Sequence, residues 1–146
     1  MRALELLRAD HRHLQALFER ARSTADFSER REIFEEIRDS LELHLGLEDE
    51  VFYPPFQRQV EWLEVIEEAL EDHRLLSEML SDLAGVSDTE DFNDLLDELM
   101  ESVEDHLAEE EQELFPALLP VLTLSQWEGL AATMEEYREA LPLRAA

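Results

Sequence analysis

Apolar residues recur at steps of three and four along most of the chain, which is the pattern of amphipathic α-helices. The helices that this pattern predicts lie near residues 2–22, 28–53, 59–84, 89–115 and 126–141. The 3 glycines and 5 prolines are few for this length, which fits long helices joined by short loops. The sequence therefore predicts an all-α protein.

The expected helix boundaries come from residues that cap or interrupt helices. The residues expected to act as N-caps are Ser28, Asp88 and Thr89. Gly85 is expected to end the third helix, and the Pro54-Pro55 pair is expected to break the second. Ser125, with Glu128 three residues later, matches a capping box at the start of the last helix.

The first half of the chain matches the second half when it is shifted by 62 positions. Each copy has an Asp-His-Arg motif, a second histidine 33 residues after the first, and a glutamate four residues after that. Such repetition indicates one supersecondary unit built twice. We expect two αα-hairpins, about 1–57 and 58–120, that form an up-down-up-down four-helix bundle. With the additional C-terminal helix they make a single domain over 1–146.

Six polar residues occupy positions where the helical pattern requires apolar side chains. They are His11, His44, Glu48, His73, His106 and Glu110. Counted from the hairpin turns at about 1.5 Å per residue, the histidines lie at depths of roughly 18 to 26 Å from one end of the bundle. We therefore expect the four histidines at nearly one level, with each glutamate one helical turn from a histidine on the same face.

A bound metal explains this polar layer better than structural burial does. One core histidine is more often part of a hydrogen-bonded structure than a ligand, and a single His-x-x-x-Glu is a common accident. A buried carboxylate without a partner costs several kcal/mol, however, and the core stripes contain no Lys or Arg to balance two of them. Two divalent ions would do so. Imidazole and carboxylate suit iron, with Mn or Zn also possible.

Composition narrows the classes of partner. The net charge is −26, with 12 basic residues against 38 acidic ones, which disfavours nucleic acid and anionic lipid as partners. The sequence shows neither a membrane-spanning stretch nor a secretory signal, so we expect a cytoplasmic protein. Cysteine is absent, so any metal must bind through histidine and carboxylate.

At these residues the chain resembles the hemerythrin-like family, also called the HHE cation-binding family. The resemblance covers about 1–120. It is carried by Asp-His-Arg in the first and third helices, by His-x-x-x-Glu in the second and fourth, and by the Phe-Tyr-Pro and Leu-Phe-Pro segments that end them. It implies a non-haem di-iron centre. By this resemblance His11 and His44 would bind one iron, His73 and His106 would bind the other, and Glu48 and Glu110 would bridge the two irons.

The resemblance also implies reaction with O₂ or related small oxidants such as nitric oxide and peroxide. The family's oxygen carriers have a fifth histidine one turn after the third-helix ligand, where this chain has Ser77, and its repeat mate is Gln15. With a shared oxo or hydroxo group, each iron would keep about one exchangeable position. Gln15 and Ser77 are expected near those positions. His13 is expected to be exposed, and Ser40 and Ser102 are candidates for hydrogen bonds to ligand histidines.

Several alternatives remain at the level of sequence. A ferritin-like di-iron bundle is disfavoured because it uses Glu-x-x-His, and here the positions three before the histidines hold Arg8, Leu41, Leu70 and Val103. Within the metal hypothesis, the chain is a carrier, store, sensor or small oxidoreductase, a metal-dependent regulatory module, or an iron storage or delivery protein. The oligomeric state is open, because the Trp127–Leu141 stripe of the last helix fits either closure of the bundle or a dimer contact.

Overall fold

The computed structural model describes residues 1–145, except for the side chains of Val60 and of residues 141–145. Over this range the chain is helical apart from short connections, as the apolar pattern predicts. The α-helices are α1 Arg2–Ser23, α2 Phe27–Leu47, α3 Pro54–Gln57, α4 Leu63–Ala84, α5 Thr89–Glu109, α6 Phe115–Leu118 and α7 Leu124–Ala145. The long helices α1, α2, α4 and α5 form a four-helix bundle, and α7 is the additional C-terminal helix. The predicted fold class is confirmed.

The core of the bundle has two apolar parts with a polar layer between them. One part contains Phe18, Phe34 and Leu99 among others, and the other contains Leu4 and Phe115 among others. The apolar residues that recur at steps of three and four along the four long helices are buried here, and Trp62, which continues this pattern just before α4, is half-buried. Within the described residues, no helix is long and apolar enough to cross a membrane.

The two glutamates of the polar layer each begin a π-helical turn. Glu48–Phe52 follows α2, and Glu110–Leu114 follows α5. In the first turn the Tyr53 amide donates to the Glu48 carbonyl at 2.9 Å, five residues earlier. The predicted helices 28–53 and 89–115 are therefore not regular α-helices to their ends. The wider turns lie immediately before the short helices that contain Pro54 and Pro116, and such π-turns are common at functional sites.

The expected break at Pro54-Pro55 is present, because the helical run of α2 and its π-helical turn ends at Phe52, but the chain goes directly into a new short helix there. In the interior of a helix, proline removes a backbone hydrogen bond and its ring clashes with the carbonyl four residues earlier. In the first turn of a new helix proline is tolerated, because the first N–H groups have no partner within the helix. Pro54 begins α3, and Tyr53 before it keeps helical backbone angles. A 3₁₀ turn at Val60–Trp62 then leads into α4.

Two of the expected N-cap assignments are corrected by the structure. Asp26, not Ser28, caps α2, because its Oδ1 accepts the Ser28 amide at 3.0 Å. Asp88 caps α5, which makes Thr89 the first helical residue. Gly85 ends α4 as expected.

The capping box of the last helix also lies earlier than predicted. The Gln126 amide donates to Thr123 Oγ1 at 3.2 Å, and the Thr123 amide donates to Gln126 Oε1 at 2.8 Å. Ser125 and Glu128 are therefore not the capping pair, since α7 already begins at Leu124. The same Ser/Thr-x-x-Glu/Gln rule applies two residues upstream.

Helix α7 packs against α1 and the first π-helical turn of its own bundle. Trp127, Leu130 and Met134 of its predicted stripe are buried, and Tyr137 is half-buried. The Trp127 indole N–H donates to the Leu119 carbonyl at 3.1 Å, which fixes the start of the helix. The side chain of Leu141, the last residue of that stripe, lies outside the described part of the chain.

Candidate metal centre

Six side chains meet in the polar layer of the bundle, and they are the six predicted from the sequence. They are His11 of α1, His44 of α2, His73 of α4, His106 of α5, and Glu48 and Glu110 of the π-helical turns. Each is at most 7% exposed. The Nε2 atoms of His11 and His44 are 3.2 Å apart, and those of His73 and His106 are 2.9 Å apart. The histidines therefore lie in the two pairs that the family resemblance implies.

The two glutamates lie between the histidine pairs. The distances from carboxylate oxygen to Nε2 are 3.3 Å for Glu48 to His44, 3.2 Å for Glu48 to His73, 3.6 Å for Glu110 to His11, and 3.3 Å for Glu110 to His106. Each carboxylate thus faces one histidine of each pair. The result is two groups of four potential ligand atoms, each group within 4.8 Å, and both glutamates belong to both groups.

Several buried polar atoms of this layer have no hydrogen-bond partner. They are Glu48 Oε1 and Oε2, Glu110 Oε1 and His11 Nδ1. Carboxylate oxygens that are buried without hydrogen bonds are costly, and the layer contains no Lys or Arg, so in the absence of metal only protonated histidines can balance the two glutamates. Imidazole nitrogens and carboxylate oxygens at this spacing are a donor set for Fe, Mn or Zn. The residues present therefore fit a pair of divalent metal ions.

A carboxylate lies behind each histidine, on the Nδ1 side of the ring. The distances are 2.9 Å from Asp10 to His44, 2.5 Å from Asp49 to His73, 3.5 Å from Asp72 to His106 and 3.5 Å from Glu111 to His11. Each of these acids is the chain neighbour of one candidate ligand but faces a histidine on another helix. A carboxylate at Nδ1 fixes the ring orientation and leaves Nε2 free to bind metal.

A family model described as the hemerythrin HHE cation binding domain matches residues 2–118. The chain belongs to this family. It is 30% identical over 136 residues to an uncharacterized hemerythrin-like protein of Schizosaccharomyces pombe, a match that covers 91% of the chain and 67% of that protein. The structure is similar to a crystal structure of a hemerythrin HHE cation binding domain-containing protein from Mycobacterium kansasii. The TM-score is 0.72 and the identity 28%, over 93% of this chain and 86% of that one.

A further relative is longer than this HHE domain. It is a protein of Nostoc named a DNA nickase, 28% identical over 147 residues. That match covers 99% of the chain but 41% of the relative, so most of the relative has no counterpart here.

Burial and neighbouring charges give the four histidines of this HHE domain unequal pKa values in the absence of metal. Burial alone lowers the pKa of His44 and of His73. The carboxylates of Glu48 and Asp10 outweigh burial at His44, and those of Asp49 and Glu48 outweigh it at His73, so both pKa values rise to about 9. One histidine of each pair is therefore protonated at neutral pH.

The other histidine of each pair has a lowered pKa. At His11, burial and the neighbouring His44 lower the pKa to about 3. At His106, burial and then His73 lower the pKa. Each pair therefore combines a histidine of raised pKa with one of lowered pKa, and the two Nε2 atoms of a pair lie within hydrogen-bonding distance of each other.

The pKa values of the two glutamates are shifted in opposite directions. Burial raises the pKa of both, but His44 reverses this for Glu48, whose pKa falls well below its usual range. The pKa of Glu110 is raised by burial and by the charge on Glu48. The metal-free layer thus holds one ionised and one protonated carboxyl, the expected state of two acids that share a buried site.

Sequence reasoning missed the residues that contact the candidate ligands from outside the cluster. These are Asp10, Asp49, Asp72, Glu111 and Tyr53. A usable signal existed for the acids, because Asp10 and Asp72 coincide in the repeat, as do Asp49 and Glu111. Carboxylates rather than Ser40 and Ser102 are therefore the partners of the histidine Nδ1 atoms, and both serines are half-buried.

The expectation for Gln15 and Ser77 is wrong. Both side chains are exposed, although the ligand histidines one turn before them are buried. His13 is exposed, as expected.

Proposed function

We propose that this domain binds two metal ions, with iron as the natural metal, and that the centre reacts with O₂ or a related small oxidant such as peroxide or nitric oxide. The observation that supports it is the pair of four-residue groups that share Glu48 and Glu110. His11 and His44 would hold one ion, His73 and His106 the other, and the two glutamates would contact both. Mn and Zn suit the same donors.

The chain's own residues would position and shield this centre. Asp10 and Asp49 accept the Nδ1–H of His44 and His73, so each ring presents Nε2 to the cluster. The apolar residues on both sides of the layer exclude water and strengthen the electrostatic interactions within it. Iron, when bound, would supply electrons to the oxidant.

Redox turnover is favoured over reversible carriage. The chain has serine where the family's oxygen carriers place a fifth histidine, and Ser77 is exposed, so the protein supplies two imidazoles and two shared carboxylates to each ion. That set leaves room for small ligands at the centre. We therefore expect the reduced protein to be oxidised on contact with O₂ or peroxide, without a long-lived oxygenated form.

Nucleic acid is not part of this proposal. The Nostoc relative that is named a DNA nickase is matched over 41% of its length only. The net charge of −26 repels a phosphate backbone, and the binding of nucleic acid depends on neutralising phosphates with Lys or Arg.

The proposal is tested by metal analysis followed by rapid mixing. Protein purified from iron-supplemented cells is expected to contain two iron ions per chain. The anaerobically reduced protein is then mixed with air-saturated buffer or with peroxide in a stopped-flow spectrometer, and rapid oxidation is expected. No metal uptake after iron, manganese and zinc have each been offered would overturn the proposal. An oxygenated form that lasts for hours, and that is discharged when O₂ is removed, would make the protein a carrier.

A further inference from the structure

The two halves of the candidate centre differ in how they are covered. Among the six candidate ligands His106 is the most exposed, at 7%, whereas the others are at most 1% exposed. A cleft of about 550 Å³ between α4 and the end of α5 reaches this part of the layer, and both His106 and Glu110 line it. A second, neighbouring cleft between α4 and α5 also reaches His106. The His73–His106 half is therefore the one next to open space.

Helix α7 covers the His11–His44 half. A Cβ atom on Gly46 would lie 2.7 Å from the Tyr137 hydroxyl, so α2 and α7 are in contact two residues after His44. The clefts beside α7 are lined by residues such as Val51 and Thr133 and by none of the six candidate ligands. The ring of Phe115 additionally stacks on His11, with centroids 6.0 Å apart.

The carboxylates behind the histidines show the same asymmetry. Asp10 is 17% exposed, accepts from His44 at 2.9 Å, and also accepts a hydrogen bond from Arg138 of α7. Its repeat mate Asp72 is 47% exposed and lies 3.5 Å from His106. Asp10, which binds His44, is therefore itself held in place by Arg138. Asp72, which lies beside His106 at the mouth of the cleft, is more exposed and farther from its histidine.

The larger of these two clefts has an apolar wall and an acidic rim. The wall includes Val65, Ala69, Leu114 and Ala117, and the rim carries the acids Glu68, Glu71, Asp72, Glu109 and Glu113. At its inner end the buried Glu110 has an oxygen, Oε1, without a hydrogen-bond partner. An acidic rim attracts cations and repels anions, while an apolar wall accepts small neutral molecules.

We propose that this cleft is the entry route to the centre, so that metal ions and small neutral oxidants reach the His73–His106 position while the His11–His44 position stays closed. This inference rests on the proposed function and refines it: one ion, not both, would exchange ligands. It also assigns selectivity, since uncharged ligands such as O₂, nitric oxide and hydrogen peroxide enter more readily than superoxide or azide.

The test narrows the cleft in the iron-loaded protein. In Ala117→Phe on α6, and independently in Val65→Trp on α4, the association of nitric oxide and of azide, followed by absorption, should slow about tenfold, which requires a barrier higher by about 1.4 kcal/mol. Chelator extraction of iron from the unaltered protein should show a fast and a slow phase of equal size. The variants should slow only the fast phase. Ala132→Phe, the same change at an exposed position of α7, is the matched control and should change neither rate.

Iron content and circular dichroism, measured first, separate the two proposals. Failure of the unaltered protein to hold two ions contradicts the proposed function. Two ions with unchanged association rates in both folded cleft variants, or with a single extraction phase, contradict the entry route alone. Equal slowing by Ala132→Phe would also overturn the route, because it would place the entrance elsewhere.

Discussion

Tyr53 donates its hydroxyl hydrogen to Glu110 Oε2 at 2.5 Å, across the middle of the polar layer. The repeat mate of Tyr53 is Phe115, which has no hydroxyl, and both Oε atoms of Glu48 lack a hydrogen-bond partner. Two carboxylates that coincide in the sequence repeat therefore have different environments. Burial, followed by the negative charge of Glu48, raises the pKa of Tyr53 well above its usual range, so the phenol stays protonated.

The Tyr53→Phe substitution tests what this hydroxyl contributes. It leaves Glu110 Oε2 buried without a donor, so the free energy of unfolding of the metal-free protein should fall by about 1–3 kcal/mol. Urea denaturation followed by circular dichroism measures this. Phe replaces the ring without creating a large cavity, so a loss of packing is not expected. An unchanged unfolding midpoint would show that the Tyr53 hydroxyl contributes nothing to stability.

Substitution of the shared carboxylates should affect both ions. In Glu48→Gln and in Glu110→Gln, metal content is expected to fall below one ion per chain, because each carboxylate faces a histidine of both pairs. His13→Ala is the control, since His13 is exposed on the same helix as His11. Elemental analysis after dialysis measures the content. Retention of one full ion in both glutamine variants would contradict a shared role.

The stability of the metal-free protein should fall as the solution becomes alkaline. The pKa values of His44 and His73 rise from 6.5 to about 9 on folding. Between pH 6.5 and pH 9 the folded state therefore binds more protons than the unfolded state does. Their contribution to stability is fully present below pH 6.5 and is lost as the pH rises through 9. Urea denaturation across this range measures it. His44→Gln should reduce the dependence on pH, and an equal dependence in this variant would exclude His44 as a source.

Metal binding should show the opposite dependence on pH. The Nε2 atoms must lose their protons to bind metal, so acidification should release the ions. The metal-loaded protein is therefore expected to gain stability over the metal-free form as the pH rises towards 9. Thermal unfolding of both forms at each pH gives this difference. A constant difference across the range would show that histidine protonation is not coupled to metal binding.

Arg138 should act on metal affinity through Asp10 and His44. Arg138→Ala removes a donor from Asp10 and frees the carboxylate that orients His44, and the loss of such an indirect partner typically weakens metal binding by about 10–100-fold. Competition with a chromogenic chelator measures the affinity. Arg2→Ala is the matched control, because Arg2 pairs with Glu135 between the same two helices at an exposed position. Equal losses in both variants would mean that the effect comes from helix packing rather than from His44.

The sequence by itself determined the four long helices of the bundle, the C-terminal helix and the six residues of the polar layer, but not the π-helical turns or the short helices α3 and α6. Helical periodicity is a local property of the backbone, and a histidine or glutamate on an apolar stripe stands out against its neighbours. His11 and Glu110 are 99 positions apart, yet each could be assigned to the core from the four or five residues around it. The repeat then related the two halves to each other.

Tertiary structure alone decided which histidine each flanking acid contacts and which half of the centre is covered. The chain has 38 acidic residues, and the repeat relates Asp49 to Glu111, but it does not show that Asp49 contacts His73 and that Glu111 faces His11. Their roles depend on the rotation of one helix against another, which the packing of whole side chains sets. The same holds for α7, whose amphipathic stripe fits several surfaces. Only contacts such as Tyr137 against Gly46 and Arg138 on Asp10 place α7 over the first half of the centre.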